Sequence, residues 1–515
     1  MFAGTFGGPY RISGSGLDIP ITPTAINARQ FDTAGCTESM PAGLQQLFYI
    51  QRGGQTLRSV KIINPYLATF EAADMCLNAE QVGYSPIQQV VLQRGRPDSL
   101  WVRRADGRIA GMSVRITVQN ADTLTGWHPH DLGGNGSAQD IVVVERTNGY
   151  DQLWAVVQRT INGVQRCCVE IMADDVVFPD KEDFFSASGV VSARSDIPEQ
   201  ENTATPGDAA QADDEALWKN VLYRMQEQYI HLDSAFAYDG SVRGEHAQAT
   251  LTPSAVGVPQ VPGQAATTIT LTASVPVFQA SDVGMDIWVK PNIVTGLGSG
   301  RATITAYTDS QHVTVQPLVP FSSVASIAAG DWYFATGTFD GFGHLEGASV
   351  AVVTDGAVFS DGGQTGDEDF PVVTVKNGVI TLPGGAKAGL ARAGFPYLGM
   401  LVTHNLELGG RTGPAQSKPR RLDEIYMRLM NSLGLEYGTD LYHLEKVDHR
   451  DPNAVSDRPA PVFSGIRRVH VEDQWSGIDD KTREKNVYVV QRFPLPAVIE
   501  SLDISYETAD EEVRE

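Results

Sequence analysis

Three segments of this chain open with the same short pattern at the same interval. Gln46-Leu47-Phe48-Tyr49-Ile50 runs through Gly53-Gly54 into Thr56 to Val60. Asp98-Ser99-Leu100-Trp101-Val102 runs through Asp106-Gly107 into Arg108 to Met112. Asp151-Gln152-Leu153-Trp154-Ala155 runs through Asn162-Gly163 into Val164 to Ile171. The leading leucines, Leu47, Leu100 and Leu153, stand 53 residues apart. Each copy reads as an apolar strand, a glycine turn and a second strand, and Asp-Gly and Asn-Gly are strong hairpin signals. A hairpin returning every 40–50 residues or so is the mark of propeller blades. Phe2 to Ile12, with Gly7-Gly8 between two strands, reads as an earlier copy lacking its start. Residues 1–175 are therefore expected to be blades, the later ones of a larger propeller. A generic set of hairpins in a sandwich is the alternative.

The rest of the chain changes character several times. Residues 176–248 hold an acidic stretch, Ser192 to Asp214, that reads as a loop. Within the same region Glu215 to Gln226 can place Leu217, Val221, Leu222 and Met225 on one helix face, and Tyr229 to Tyr238 reads as a strand. Residues 249–337 alternate at period two with β-branched residues, as in Thr267 to Ala273, Arg301 to Tyr307 and His312 to Gln316. This predicts a small inserted β-barrel module. Residues 338–515 return to another strand pattern, with Ser349 to Thr354, Val379 to Leu382, Arg467 to Glu472, Asn486 to Gln491 and Val498 to Tyr506. Leu422 to Leu433 fits a helix and a strand equally well, and periodicity does not separate them. The charged tail, Asp510 to Glu515, is expected to fray. The fold class expected is all-β: a partial propeller, a β-rich platform and an inserted barrel.

Charge and cysteine usage narrow the partners. The formal net charge is −23, with 62 acidic against 39 basic residues. Such a surface does not hold nucleic acid through phosphate contacts, although nucleic acid can pass it without sticking. Cys36, Cys76, Cys167 and Cys168 include no C-x-x-C pair, so neither a zinc site nor a disulfide framework is indicated. Free thiols of a reducing cytosol fit best. Cys167 and Cys168, being adjacent, would point to opposite faces of a strand. No stretch approaches the roughly 18 apolar residues of a membrane span. The start, Met1 to Gly8, lacks the basic and apolar regions of a secretory signal.

Motifs for chemistry are scarce. There is no phosphate loop, no G-x-S-x-G elbow and no H-E-x-x-H. Trp127-His128-Pro129-His130-Asp131 is the most metal-like cluster, with both histidines on one strand face. It lacks a third ligand nearby, and polar residues near a blade-strand end are the plainer reading. Asp355 to Asp369 is rich in Asp and Gly but lacks calcium-loop spacing, so a solvated hairpin loop is favoured. Paired glycosidase carboxylates leave no reliable spacing, and nothing points to them. Pro419-Arg420-Arg421 and Arg467-Arg468 are small basic spots, either docking points for an acidic partner or ordinary solvated charge. No catalytic, cofactor-binding or metal residue is assigned.

An ordered set of segments does resemble a known family. Phe2-Ala-Gly-Thr-Phe-Gly-Gly-Pro-Tyr-Arg-Ile-Ser-Gly14, Phe48-Tyr-Ile-Gln-Arg-Gly-Gly54, Leu100-Trp-Val-Arg-Arg-Ala-Asp-Gly107 and Leu153-Trp154 with Arg159-Thr-Ile-Asn-Gly163 come first. Leu232 to Gly240, His344 to Gly347, Thr354 to Val358, Gly394 to Tyr397 and Lys418 to Gly434 follow. Together they are similar to the tail tubular, or stabilisation, proteins that form the tail nozzle of short-tailed bacteriophages. The resemblance implies a structural protein and not an enzyme: a homo-hexamer of the virion, assembled in the host cytoplasm. It would sit below a head–tail adaptor, form the DNA exit channel used in ejection and help attach tail fibres or spikes. Genomic DNA would pass without specific binding. Relatives carry additional sequence before the first blade seen here, which leaves a truncated product, a split gene or a short form as readings. The 249–337 module resembles small β-barrels labelled after the first catalytic cysteine half-domain of ubiquitin-activating enzymes. It contains no cysteine, so that likeness implies fold and not activity. The rival readings are a carbohydrate-binding or glycan-cleaving tail adhesin and a bacterial propeller scaffold.

Overall fold

Glycine turns and alternating apolar residues cut the first third of the chain into short antiparallel strands. The computed structural model describes residues 2–14, 20–43, 46–64, 69–95, 98–116, 123–146, 151–173, 231–241, 248–259, 267–290, 299–359, 372–404, 409–410, 413–414, 420–447, 460, 462–471 and 486–508. The readings for 192–214, 215–226, 360–369 and 510–515 lie outside these residues. The chain divides into two compact units, Met1–Asp174 and Asp175–Glu515. The architecture is all-β, and among the described residues the only elements besides the strands are short 3-10 turns such as Glu80–Gly83 and Ala280–Asp282. No helix among the described residues is long and apolar enough to cross a membrane.

The first unit is four meanders in chain order. Strands β1 (Phe2–Thr5), β2 (Gly8–Ser13) and β3 (Asn27–Gln30) make the first sheet. Strands β4 (Ala42–Gly43), β5 (Leu47–Ile50), β6 (Leu57–Asn64) and β7 (Thr69–Asp74) make the second. The third is β8 (Ile87–Gln93), β9 (Asp98–Arg104), β10 (Ile109–Ile116) and β11 (Thr123–His130). The fourth is β12 (Ser137–Val144), β13 (Gln152–Ile161) and β14 (Val164–Ile171). Each strand bonds to its sequence neighbour, so every connection within a sheet is a local hairpin.

The 53-residue interval has a packing cause. Leu47, Leu100 and Leu153 lie on β5, β9 and β13, the second strand of their sheets. Each points back onto the preceding sheet. Leu47 joins Phe2, Cys36 and Tyr49. Leu100 joins Phe48, Ile50 and Leu57. Leu153 joins Trp101 and Ile109. The following residues of the first two copies, Phe48 and Trp101, point the other way and are buried by the next sheet, as strand alternation requires. Residues such as Phe48, Leu57, Leu100 and Met112 are fully buried there, each contributing about 1.5–3 kcal/mol.

The turns obey the same local logic. Asn162 and Gly163 both take positive φ, 50° and 74°, as a tight two-residue hairpin turn demands. At Gly107, φ is 80° and the Gly107 N–H donates to Arg104 O at 3.0 Å. A Cβ at Gly107 would also sit 2.0 Å from Ser137 Oγ, so glycine serves the turn and the approach of β12 together.

In the second unit, Asp233–Asp239 pairs with Leu390–Phe395, which pairs with Ser349–Thr354. Between these partners a six-stranded antiparallel sheet closes on its own core. Its strands are Leu251–Pro253, Ile269–Ala273, Asp286–Val289, Gly300–Asp309, His312–Val319 and Trp332–Ala335. Trp332, Phe334, Leu271, Ile287 and Val313 lie fully buried within it. The module's two ends come together, for Phe334 N–H donates to Gly240 O at 3.2 Å. Immediately beyond, Thr336 and Ala388 exchange backbone bonds at 3.0 and 2.9 Å. Lys387 Nζ donates to Asp286 Oδ1 at 2.6 Å across the same junction.

The ambiguous Leu422-to-Leu433 segment is a strand, Arg420–Ser432, held between Phe463–His470 and Val498–Thr508. Its helical look has a physical origin. The register shifts between Leu422 and Glu424, so Leu422 and Ile425 both face inward, three residues apart. Met427 and Leu429 then continue inward at the ordinary step of two.

Candidate functional site

The two histidines of the Trp127-to-Asp131 cluster meet. On β11, His128 pairs with Gly111 and His130 with Ile109, so the two rings share one face. His128 Nδ1 and His130 Nε2 lie 2.8 Å apart, one donating to the other. Trp101 meets both rings edge-on, at centroid distances of 5.6 and 5.0 Å. The cross-strand residue under His128 is glycine for a steric reason: a Cβ on Gly111 would stand 2.1 Å from His128 Cε1. Burial lowers the pKa of His128. Burial, with His128 adding to it, lowers that of His130 to about 4. Both rings are neutral at pH 7. Asp131 turns to Arg108, with 3.3 Å between Oδ1 and Nε. Among the described residues no group of three or more His, Cys, Asp and Glu gathers as a metal would need. The pair therefore belongs to the packing between the third and fourth sheets, where Trp101 is buried.

The basic spots are brought onto one three-stranded sheet, where Arg421 and Arg468 are matched by carboxylates. Arg421 Nη2 reaches Glu507 at 2.9 Å. Arg468 bonds Glu424, which also accepts from the Tyr426 hydroxyl at 2.7 Å. Arg428 pairs with Glu500 at 2.7 Å. Arg467 stacks on Phe463, 4.2 Å from the ring centroid. The Arg468 guanidinium first, and the Tyr426 hydroxyl second, hold Glu424 below the usual carboxylate range. A carboxylate held ionised in this way is not poised as a general acid. Exposed pairs of this kind add little to stability, because water screens them. Their effect is on the field: positive charge that would grip a phosphate is already spent on neighbours.

The Asp-rich segment begins with a structural duty. Asp355 and Gly356 take positive φ in the turn after Ser349–Thr354, and Asp355 Oδ1 accepts from Leu390 N–H at 2.9 Å. Cys36 and Cys76 are buried thiols, and burial raises both pKa values. Cys167 is exposed and Cys168 half-buried, on adjacent positions of β14.

Two polar contacts had no sequence signal. Arg159, 3 % exposed, forks onto Glu170 and donates Nε–H to Gly133 O at 2.8 Å. Asp286, nearly buried, holds Lys387 from 101 residues away. Neither residue type nor spacing marks such pairs.

These observations define an all-β protein whose first unit is a series of face-to-face meanders. No protein-family model matches the chain, and no curated protein matches it.

Proposed function

We propose that the chain is a structural subunit of a phage tail nozzle, with no catalysis of its own. In this reading six copies close a ring below the head–tail adaptor, line the DNA exit channel and help carry tail fibres or spikes. The observation that supports it most is the order of the first unit. Four consecutive meanders, the last three each with its leading leucine laid on the preceding sheet, are what blades of a propeller look like locally. The ordered likeness to tail tubular proteins supplies the function. The net charge of −23 and the pairing of the arginines on the C-terminal sheet suit a wall that DNA must pass without sticking.

Mass photometry of the purified chain, with and without the adaptor protein, tests the reading. The expected result is a particle of six times 55.6 kDa that forms or sharpens with adaptor, as closed cyclic assembly requires. A monomer indifferent to adaptor overturns it, and glycan-array binding would then put a tail adhesin in its place.

A further inference from the structure

One face of the six-stranded module meets the rest of the second unit. It is the outer face of Gly300–Asp309, Asp286–Val289 and Trp332–Ala335. By register, Thr303, Asp286 and Ala335 form one row of that face, and Arg301, Trp288 and Tyr333 form the next. The row between them, Ala302, Ile287 and Phe334, points into the module's core. The Arg301 guanidinium stands 4.5 Å from the Trp288 ring centroid, and Trp288 meets Tyr333 edge-on at 6.0 Å. Tyr333 lies against Gly389, where an added Cβ would fall on its ring carbons. Asp286, 4 % exposed, accepts from Thr303 Oγ1 at 2.7 Å and from Lys387 Nζ at 2.6 Å. Lys387 Nζ also donates to Gly284 O at 2.7 Å. Lys387 to Gly389, with Gly240, thus form a seat for the module.

Two features set the energetics of this seat. The module's buried cluster is made of its own residues, from Ala249 to Phe334. The strand Ser349–Thr354 buries Ala351 and Val353 in a separate cluster with Leu232. Leaving the seat therefore breaks the junction without opening either cluster. Contacts between separately packed bodies open more easily than the bodies unfold. The second feature is the charge pair. A nearly buried carboxylate is tolerated because a cation faces it. Removing the cation leaves a buried charge, whereas removing both charges together costs little. Away from the seat, water solvates Asp286, so loss of Lys387 penalises the seated arrangement alone.

We infer that the Lys387–Asp286 pair is a clasp: it decides whether the module rests on its seat or leaves it, and the module can leave with both clusters intact. Gly389 is the second element of the device, because a larger residue there would displace the Tyr333 ring.

Hydrogen exchange read at single amides of the full chain tests this. Phe334 N–H donates to Gly240 O, and Thr336 and Ala388 N–H donate to each other's carbonyl, so these three amides report seating. In Lys387→Met they should exchange about tenfold faster, while Ile269–Ala273 and His312–Val319 keep wild-type protection. Adding Asp286→Asn to Lys387→Met should return the three amides to near the wild-type rate. Gly389→Ala should release them without touching the charges. Unchanged junction amides in Lys387→Met, or in Gly389→Ala, overturn the inference. So does equal loss of protection in the module's strands and at the junction, which would mean unfolding instead of release. A double variant that exchanges as fast as Lys387→Met would show that Lys387 acts by packing, and would overturn the clasp. Seating concerns a single chain, so the result stands apart from the nozzle proposal.

Discussion

The meander series of the first unit and the six-stranded module of the second bury similar side chains by different means. In the module, one sheet wraps a single core, and Trp332 sits fully buried at its centre with Nε1–H donating to Ala249 O at 2.9 Å. In the series no sheet has a core of its own. Phe48, Leu57, Leu100 and Met112 are buried only because two neighbouring sheets meet. The module is therefore self-sufficient in its packing, whereas each meander depends on its neighbours, as in repeat architectures. The module's ends are tied to the rest of the unit at Gly240, Thr336, Ala388 and Lys387.

The largest effect is expected at Trp332. Trp332→Ala should cost about 3–5 kcal/mol. The loss should be confined to residues 249–335 in hydrogen exchange, with β1 to β14 retaining their protection. Spread of the loss into the first unit would break the contrast. Leu100→Ala should cost about 2–5 kcal/mol as well, but it should lower protection in the second and third sheets together. Loss in the third sheet alone would mean that the meanders are independent. Gly111→Ala pushes a methyl group into the His128 ring and should cost about 1–3 kcal/mol by overpacking. Urea unfolding would measure it, and the His128→Ala background should rescue part of the loss. Asn162→Ala, at φ 50°, should cost about 1 kcal/mol through backbone strain, with hairpin pairing of β13 and β14 kept.

The smallest effect at neutral pH belongs to the histidine pair, and it grows with acid. His130 has its folded-state pKa depressed from 6.5 to about 4. The folded state thus favours the neutral ring. Its contribution is fully present above about pH 6.5 and is lost as the pH falls from there towards about 4. Stability of the first unit should slope downward over that window, and His130→Gln should flatten the slope. An unchanged slope in the variant would place the acid sensitivity elsewhere.

Much of the first unit was legible because its information is local. Leu47, Leu100 and Leu153 recur at one interval because each lies on the second strand of a sheet and faces the sheet before it. Asn162-Gly163 is a turn in any context, since few other pairs accept positive φ twice. The joint face of His128 and His130 followed from the period of a strand. The strand from Arg420 to Ser432 was not legible, because a register shift near Leu422 broke the period that a sequence reading relies on. The arginine spots were legible as charge but not as pairs. Glu507 and Glu424 reach Arg421 and Arg468 from strands 86 and 44 residues away in the chain.

By itself, then, the sequence determined that the chain is all-β, where its hairpins turn and which residues alternate inward, because these depend on dihedral preference and on a period of two. Only the tertiary structure decided which inward face meets which sheet and which carboxylate neutralises which arginine. It also decided that Val142, Val169 and Ile171 are exposed. Those outcomes depend on contacts between residues far apart in the chain, for which neither spacing nor composition carries a signal.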